Sequence, residues 1–122
     1  MINQLAKNLA PFIEEELVLA AGARSNGNQA VEFSHLENAH VIGQESTYWH
    51  VKVHWLMLLW AIRNSSFKEF VGQVLRVFGA ATKTAIGLVP PGNTGGANVS
   101  PFKVMPIDKR QMAIIQKAKA GL

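Results

Sequence analysis

The stretch "HLENAHVIGQESTYWHVKVH", from His35 to His54, decides the fold, and it holds all four histidines of the 122-residue chain. Gly43 divides it into two parts. Apolar residues recur at helical spacing on both sides of Gly43, so we predict one helix from Gln29 to Ile42 and another from Thr47 to Arg63. Helices joined by so short a loop pack antiparallel, and their polar side chains should therefore face each other.

The histidines fall on different faces of these two helices. On a helical wheel, Glu37 and His40 share the apolar face of the first helix, whereas His35 points elsewhere. His50 and His54 are neighbours one turn apart on the second helix. The short loop should bring residues 40 and 50 to the same height and place Glu37 near His54. We therefore predict a metal-ligating cluster of Glu37, His40, His50 and His54, with Gln44 at its mouth.

Three interpretations of this cluster stay open. Three imidazoles and a carboxylate suit a divalent transition metal, with zinc or iron as the cofactor. Alternatively, neighbouring groups satisfy the histidines as buried polar side chains, and the protein is a helical interaction module without metal. In the third interpretation Glu37 orients His40 as a general base, although no nucleophile motif accompanies the pair. Whether the chain is an enzyme is left open.

Three further helices are predicted, at Leu5–Ala21, at residues 66–86 and at Lys109–Ala120. Pro11 should start or kink the first of them, which would put residues 14–16, all glutamates, in its first turn. Ser66 and Glu69 form a capping box before the next helix, and Asp108 caps the last one. We predict a single all-α domain over residues 1–122. Four main helices form antiparallel hairpins, tetratricopeptide-like or bundled, and a short C-terminal helix follows.

Residues 87–107, "GLVPPGNTGGANVSPFKVMPI", are too rich in proline and glycine for a long helix or a central strand. We predict an irregular arm that folds back over the second and third helices, pinned by five apolar residues: Val89, Val99, Phe102, Val104 and Ile107. There it would close the cluster with the supporting residues Asn93, Thr94 and Asn98. An anion nest of glycine amides is an alternative, but no phosphate-loop motif is present and local turns are favoured.

Composition and charge limit the function further. The chain has no cysteine, which excludes disulfides, thiolate metal ligands and thiol nucleophiles, and fits a cytoplasmic protein. Residues 1–62 carry three basic side chains against six glutamates, and residues 63–122 carry nine against two acidic ones. No recognition-helix pattern accompanies the basic half, and the apolar runs are short or interrupted by charge. These features argue against nucleic-acid and membrane partners.

The aromatic residues and the basic C-terminal half suggest a protein partner or a homo-oligomer. All three tryptophans lie on the helix predicted from residue 47 to residue 63. We expect Trp55 in the core, on the same face as Ile62, and Trp49 and Trp60 along a groove or subunit contact.

Three blocks of the chain, "HLENAHVIGQ", "HVKVHWLMLLWAIR" and "VPPGNTGGANVSPFKVMPI", resemble a small bacterial family known only as a domain of unknown function, DUF3703. The resemblance spans roughly residues 30 to 108. It implies a short, cysteine-poor helical protein of bacterial origin, and it implies no activity. It also pairs the glutamate, histidine and glutamine positions of the cluster with the glycine arm, as in one shared site.

Overall fold

The computed structural model describes residues 3–85 and 90–121, apart from the side chains of residues 83–85. Over these residues the chain is all-helical and has no strand. The five helices are α1 (Gln4–Ser25), α2 (Gln29–Gly43), α3 (Thr47–Arg63), α4 (Phe67–Ala85) and α5 (Lys109–Ala120). In the described ranges, none of the helices is both long enough and apolar enough to cross a membrane. The all-α prediction is confirmed, and α2, α3 and α5 lie within one residue of their predicted bounds.

Short polar side chains cap most helix starts. Each accepts a hydrogen bond from the amide three residues later, which the helix itself leaves unpaired. The side chains that cap α1, α2, α3 and α5 are Asn3, Asn28, Ser46 and Asp108. Before α4, the Glu69 amide donates to the Ser66 hydroxyl as predicted. The Glu69 carboxylate does not complete the capping box, because it accepts from Gln73 and Ala97 instead.

Helix α1 begins before Pro11 rather than at it. The helix starts at Gln4, so Pro11 lies well inside it and residues 14–16 lie near its middle. The prediction that these glutamates occupy the first turn is therefore wrong. Asn3 sets the start, because its side-chain oxygen accepts from the Ala6 amide at 2.9 Å.

The core forms where α1, α2 and α3 meet. Gly43, the last residue of α2, is in close contact with α1 and α3. A Cβ there would lie 2.8 Å from Ile13 on α1 and 2.8 Å from Trp49 on α3. The Trp49 indole is buried and donates to the backbone oxygen of Ala6 at 2.8 Å. Helix α5 returns to this core, where Ile114 is buried against it. The tight contact at Gly43 sets how α3 leaves α2.

Helix α3 buries a different face from the one predicted. The face that carries the two histidines also carries Val53 and Met57, and all four side chains are at most 3% exposed. Trp55 is 51% exposed and Ile62 is 56% exposed, so the prediction that they lie on the core face is wrong. Trp49 is a core residue, and Trp60 is partly buried against Phe33. The histidine face wins because its polar groups have partners inside the protein.

Helix α4 is amphipathic, but it exposes its apolar face and buries its polar face, the reverse of a usual surface helix. Phe67, Leu75 and Phe78 are 78%, 69% and 74% exposed, while Gln73 is fully buried. Gln73 belongs to the polar face that packs toward α3, together with Glu69, Arg76 and the small Ala80. The inward polar face brings hydrogen-bonding groups to the histidines.

The segment between α4 and α5 is irregular over residues 90–108. Phe102 and Val104 are 73% and 66% exposed, so these two do not pin it as predicted. Val99 and Ile107 are half-buried. Asn93 organises the segment instead: its side-chain NH₂ group donates to the backbone oxygens of Ser100 and Lys103, both at 2.8 Å. The predicted arm also includes residues 87–89, which lie outside the described residues.

Candidate metal centre

The structure brings His40, His50 and His54 together. Their side chains are 2%, 3% and 3% exposed, and one ring nitrogen from each lies within 4.8 Å of the others. The ring centroids are 4.6 Å apart for His40 and His54 and 4.9 Å apart for the other two pairs. This triad, which we call the His cluster, lies where the last turn of α2 meets the first two turns of α3.

The short α2–α3 connection produces this geometry. Helix α2 ends at Gly43, and Ser46 caps α3 by accepting from the Trp49 amide. His40 therefore sits one turn before the connection and His50 one turn after it, as the sequence predicts. His54 follows one turn further on the same face.

A backbone carbonyl orients the His40 ring. Its Nδ1 lies 2.6 Å from the backbone oxygen of Asn93. A carbonyl oxygen only accepts, so Nδ1 carries the proton and donates. In the neutral ring, the lone pair is then on Nε2, the atom that faces His54.

A side-chain amide orients the His54 ring in the same way. The NH₂ group of Gln73 donates to the Glu69 carboxylate at 2.6 Å and to the Gly95 carbonyl at 2.9 Å. Both partners only accept, so the amide orientation is determined and Gln73 Oε1 must accept from His54 Nδ1, 2.6 Å away. The neutral His54 ring therefore also has its lone pair on Nε2.

These two Nε2 atoms lie 3.0 Å apart and point at each other. With both Nδ1 atoms protonated, two neutral rings would set lone pair against lone pair, which is repulsive. A cation between them removes the repulsion, either as a proton shared by the pair or as a metal ion. Fixing the tautomer of a histidine through its second nitrogen is how proteins commonly prepare it for a metal.

Gly95 lets the segment after α4 close over the His cluster. Its φ is +86°, and a Cβ there would lie only 2.5 Å from Cδ2 and 2.8 Å from Nε2 of His40. Its amide donates to Asn93 Oδ1 at 2.9 Å. No side chain larger than hydrogen fits this approach, so glycine is required here.

Glu37 is not one of the residues that meet in the His cluster. It is half-buried in a surface depression that also contains Trp60, Glu69 and Asn98. Burial raises the pKa of Glu37 and the charge of Glu69 raises it further, while a hydrogen bond from Thr94 lowers it. The structure thus places Thr94 beside Glu37 rather than in the triad, and Asn98 is exposed at the same depression.

The other predicted supporting residues do line the cluster. Asn93 is 3% exposed and holds His40 through its backbone oxygen. Gln44 is 3% exposed and lines a small cavity beside all three histidines. His35 points away, as predicted, and its Nδ1 lies 2.7 Å from the carboxylate of Glu16 on α1.

Two amides of the glycine-rich turn already have partners inside the protein, one of them a carboxylate. The Ala97 amide donates to Glu69 at 3.0 Å, and the Gly95 amide is taken by Asn93. The nearby Arg76 guanidinium donates to the Val99 carbonyl at 2.7 Å. Burial lowers the pKa of Arg76 and the charge of Glu69 raises it, and the group stays charged at neutral pH.

Sequence reasoning did not find the α4 and glycine contributions to the site. Glu69, Gln73 and Arg76 lie at helical spacing on one face of α4, which is a legible signal. The apolar face of an amphipathic helix normally packs inward, so this pattern predicts that the polar face of α4 is exposed. In the structure the polar face packs inward and the apolar face is exposed. The role of Gly95 has no signal beyond its neighbouring glycines.

Fold and site together define a small all-helical protein with a buried three-histidine cluster. The chain belongs to the family described as "Protein of unknown function (DUF3703)", which it matches over residues 7–115. The match confirms the resemblance seen in the three sequence blocks and extends it through most of α1 and into α5. No curated protein and no solved structure shows significant similarity to the chain.

Proposed function

We propose that the protein binds one divalent transition-metal ion at His40, His50 and His54. The observation that carries the proposal is the facing pair of Nε2 atoms, 3.0 Å apart, with each ring oriented by a hydrogen bond at Nδ1. A tetrahedral ion with ligands at 2.0–2.1 Å separates its nitrogens by about 3.3 Å. The His40 and His54 Nε2 atoms, 3.0 Å apart, are close to this spacing, and a ring nitrogen of His50 lies within 4.8 Å of the others, so side-chain shifts would complete the set.

Zinc is the ion that best suits this ligand set. Three imidazoles with one remaining position form a known zinc arrangement, whereas non-haem iron favours two imidazoles and a carboxylate. Glu37 as a fourth ligand stays a prediction, because its carboxylate would have to move from the depression it shares with Glu69.

The closed surroundings favour holding an ion over acting on a substrate. The cavity beside the triad measures about 10 Å³, enough for one water molecule but not for an organic substrate. This small volume counts against a His/Glu acid–base enzyme.

Metal titration tests the proposal directly. Protein stripped with EDTA should take up one zinc ion per chain, measured by elemental analysis and calorimetry. His50→Asn and His54→Asn should each weaken binding by at least about 100-fold, because each removes one of three ligands. Uptake of no stoichiometric zinc, iron, nickel or copper would overturn the proposal.

Two variants make the result specific. His35→Asn is the matched control, because His35 pairs with Glu16 outside the cluster, and it should bind zinc like the unchanged protein. Glu37→Gln distinguishes a site of three histidines from one that also includes Glu37. Unchanged zinc affinity would show that Glu37 is not a ligand, and a large loss of affinity would show that it is. Far-UV circular dichroism of each variant establishes that it is folded.

We infer, as a second candidate function, that the protein self-associates through the outer face of α4. Phe67, Val71, Leu75 and Phe78 are all exposed and recur every three or four residues, which makes one continuous apolar stripe. A second copy fits because a two-fold contact pairs the stripe with itself. Doubling the stripe buries on the order of 1,000 Å² of apolar surface, the lower end for a specific interface. The tetratricopeptide-like hairpin arrangement is proposed as its scaffold.

Sedimentation equilibrium tests this second function. The protein should dimerise, and Leu75→Glu should render it monomeric by placing a charge at the contact. Val18→Glu is the matched control, because Val18 is 71% exposed on α1, away from the stripe. A protein that stays monomeric at high concentration would exclude self-association.

A further inference from the structure

Two buried polar atoms beside the His cluster have no hydrogen-bond partner among the described residues: Oε1 of Gln44 and Nε of Arg76. Gln44 is 3% exposed, and its NH₂ group donates to the Pro90 carbonyl at 2.9 Å, which leaves Oε1 as the unpaired acceptor. Arg76 uses one terminal nitrogen on the Val99 carbonyl, which leaves Nε–H as the unpaired donor. Leaving such a group unsatisfied costs about 1–3 kcal/mol.

Both residues line the same small cavity as the three histidines. Its volume of about 10 Å³ matches a single water molecule. One of the unpaired atoms is an acceptor and the other is a donor. A ligand that satisfies both must donate and accept at once, as water or hydroxide does and a halide does not.

We propose that a single water or hydroxide is the fourth ligand of the metal, held between Gln44 and Arg76. This inference rests on the proposed metal binding by the His cluster. One oxygen lone pair binds the ion, a second accepts from Arg76 Nε–H, and one O–H donates to Gln44 Oε1. Three histidines and one exogenous oxygen complete a tetrahedron, the open form of a zinc site.

Charge supports an oxygen ligand of this kind. The metal and Arg76 are cationic and the three histidines are neutral, so the protein ligands supply no anion. The carboxylate on α4, that of Glu69, already accepts hydrogen bonds from the Gln73 side chain and the Ala97 amide. Hydroxide at the fourth position would bring a negative charge to the centre of the site, with Arg76 beside it.

Gln44 and Arg76 act here as positioning residues, because they hold the oxygen and not the metal. Gln44→Met keeps the size of the side chain but removes the acceptor, and Arg76→Lys keeps the charge but removes Nε–H. Each should still bind one zinc per chain, with affinity about 10-fold to 100-fold weaker. Gln111→Met is the matched control, since Gln111 is buried at 8% exposure but bonds to Asn38 outside the site.

Spectroscopy of the loaded protein provides a readout that folding alone would not change. Cobalt-substituted protein in water enriched in oxygen-17 should show a broadened electron paramagnetic resonance signal. X-ray absorption of the zinc form should fit three imidazoles and one oxygen, and the oxygen should persist in Gln44→Met.

Each result separates the two proposals. One zinc bound without isotope broadening would overturn the water ligand and leave metal binding intact. Loss of the oxygen scatterer in Gln44→Met would also overturn it, by making Gln44 itself the ligand. Failure to bind any metal would overturn the proposed function, and the inference with it.

Discussion

At the scale of single residues, Gly95 controls how closely the segment after α4 approaches His40. It combines a left-handed backbone with a contact that leaves no space for a Cβ. Gly27 has a similar φ of +73°, but a Cβ added there would meet nothing within 4 Å. Comparing substitutions at the two glycines therefore distinguishes the cost of a left-handed backbone from the cost of a steric clash.

Gly95→Ala should destabilise the protein more than Gly27→Ala. Both substitutions carry the left-handed penalty, about 1–2 kcal/mol, and only Gly95→Ala adds a clash with His40, about 1–3 kcal/mol more. Urea denaturation measures the difference. Equal losses for the two variants would show that the segment can move away from His40 without cost.

Glu37→Gln should raise the free energy of unfolding near pH 7 and change it little near pH 4. Burial and Glu69 raise the pKa of Glu37 above its ordinary value of 4.5. A carboxyl whose pKa is raised on folding contributes full stability below its unfolded pKa and loses it as pH rises through the folded pKa. The charged form therefore costs stability at neutral pH, by about a few tenths of a kcal/mol because the group is half-exposed.

Urea denaturation of variant and unchanged protein at each pH checks this prediction. The difference between the two proteins cancels the titration of the histidines, which both share. A variant that is less stable at neutral pH would mean that Glu37 makes a favourable contact, as a ligand would.

At the scale of elements, α4 shows why the direction of an amphipathic helix cannot be assumed. Its apolar stripe is exposed and its polar face reaches the His cluster. Gln73 is the central residue of that face, because it joins His54, Glu69 and Gly95 through three hydrogen bonds.

In a usual amphipathic helix, replacing a large apolar residue costs more stability than replacing a polar one. On α4 we expect the reverse for Gln73 and Leu75, which are two positions apart. Gln73→Ala should cost about 1–3 kcal/mol, because it leaves buried partners unsatisfied. Leu75→Ala should change the free energy of unfolding of the monomer by less than about 0.5 kcal/mol, since Leu75 is 69% exposed. Denaturation at low protein concentration measures both, and a larger loss at Leu75 would reverse the assigned faces.

The same scale shows what patterns alone could predict. Apolar periodicity and the break at Gly43 predicted α2 and α3 closely, and the Asp108 cap predicted the start of α5, because a cap acts through an amide only three residues away. Pro11 misled the prediction of the first turn of α1, because Asn3 caps the helix well before Pro11 and the proline is tolerated inside it.

At the scale of the whole molecule, the His cluster joins parts of the chain that are far apart in sequence. His40 comes from α2, His54 from α3 and Gln73 from α4, while Asn93 and Gly95 come from the segment before α5. An ion bound there would bridge α2 and α3 and stabilise the contacts around them. Stability of the entire fold should consequently depend on the metal.

Zinc should raise the midpoint of thermal unfolding of the metal-free protein. Free zinc at 100 times its dissociation constant adds about 2.7 kcal/mol, a shift on the order of 10 °C for a chain of this size. Calorimetry with and without EDTA measures the shift, and His54→Asn should abolish it. Magnesium at the same concentration is the control, because it disfavours imidazole ligands.

The sequence by itself determined α2, α3 and α5 and the convergence of His40, His50 and His54, because these depend on local periodicity, local caps and one short connection. It also predicted that His35 would point away. Only the tertiary structure decided that Gln73 and Gly95 complete the surroundings of the cluster and that Glu37 lies in a depression shared with Glu69. Those outcomes depend on which face of α4 packs inward and on how residues 90–108 fold back over the cluster. Both are set by hydrogen bonds between residues 20 or more positions apart, which no local pattern encodes.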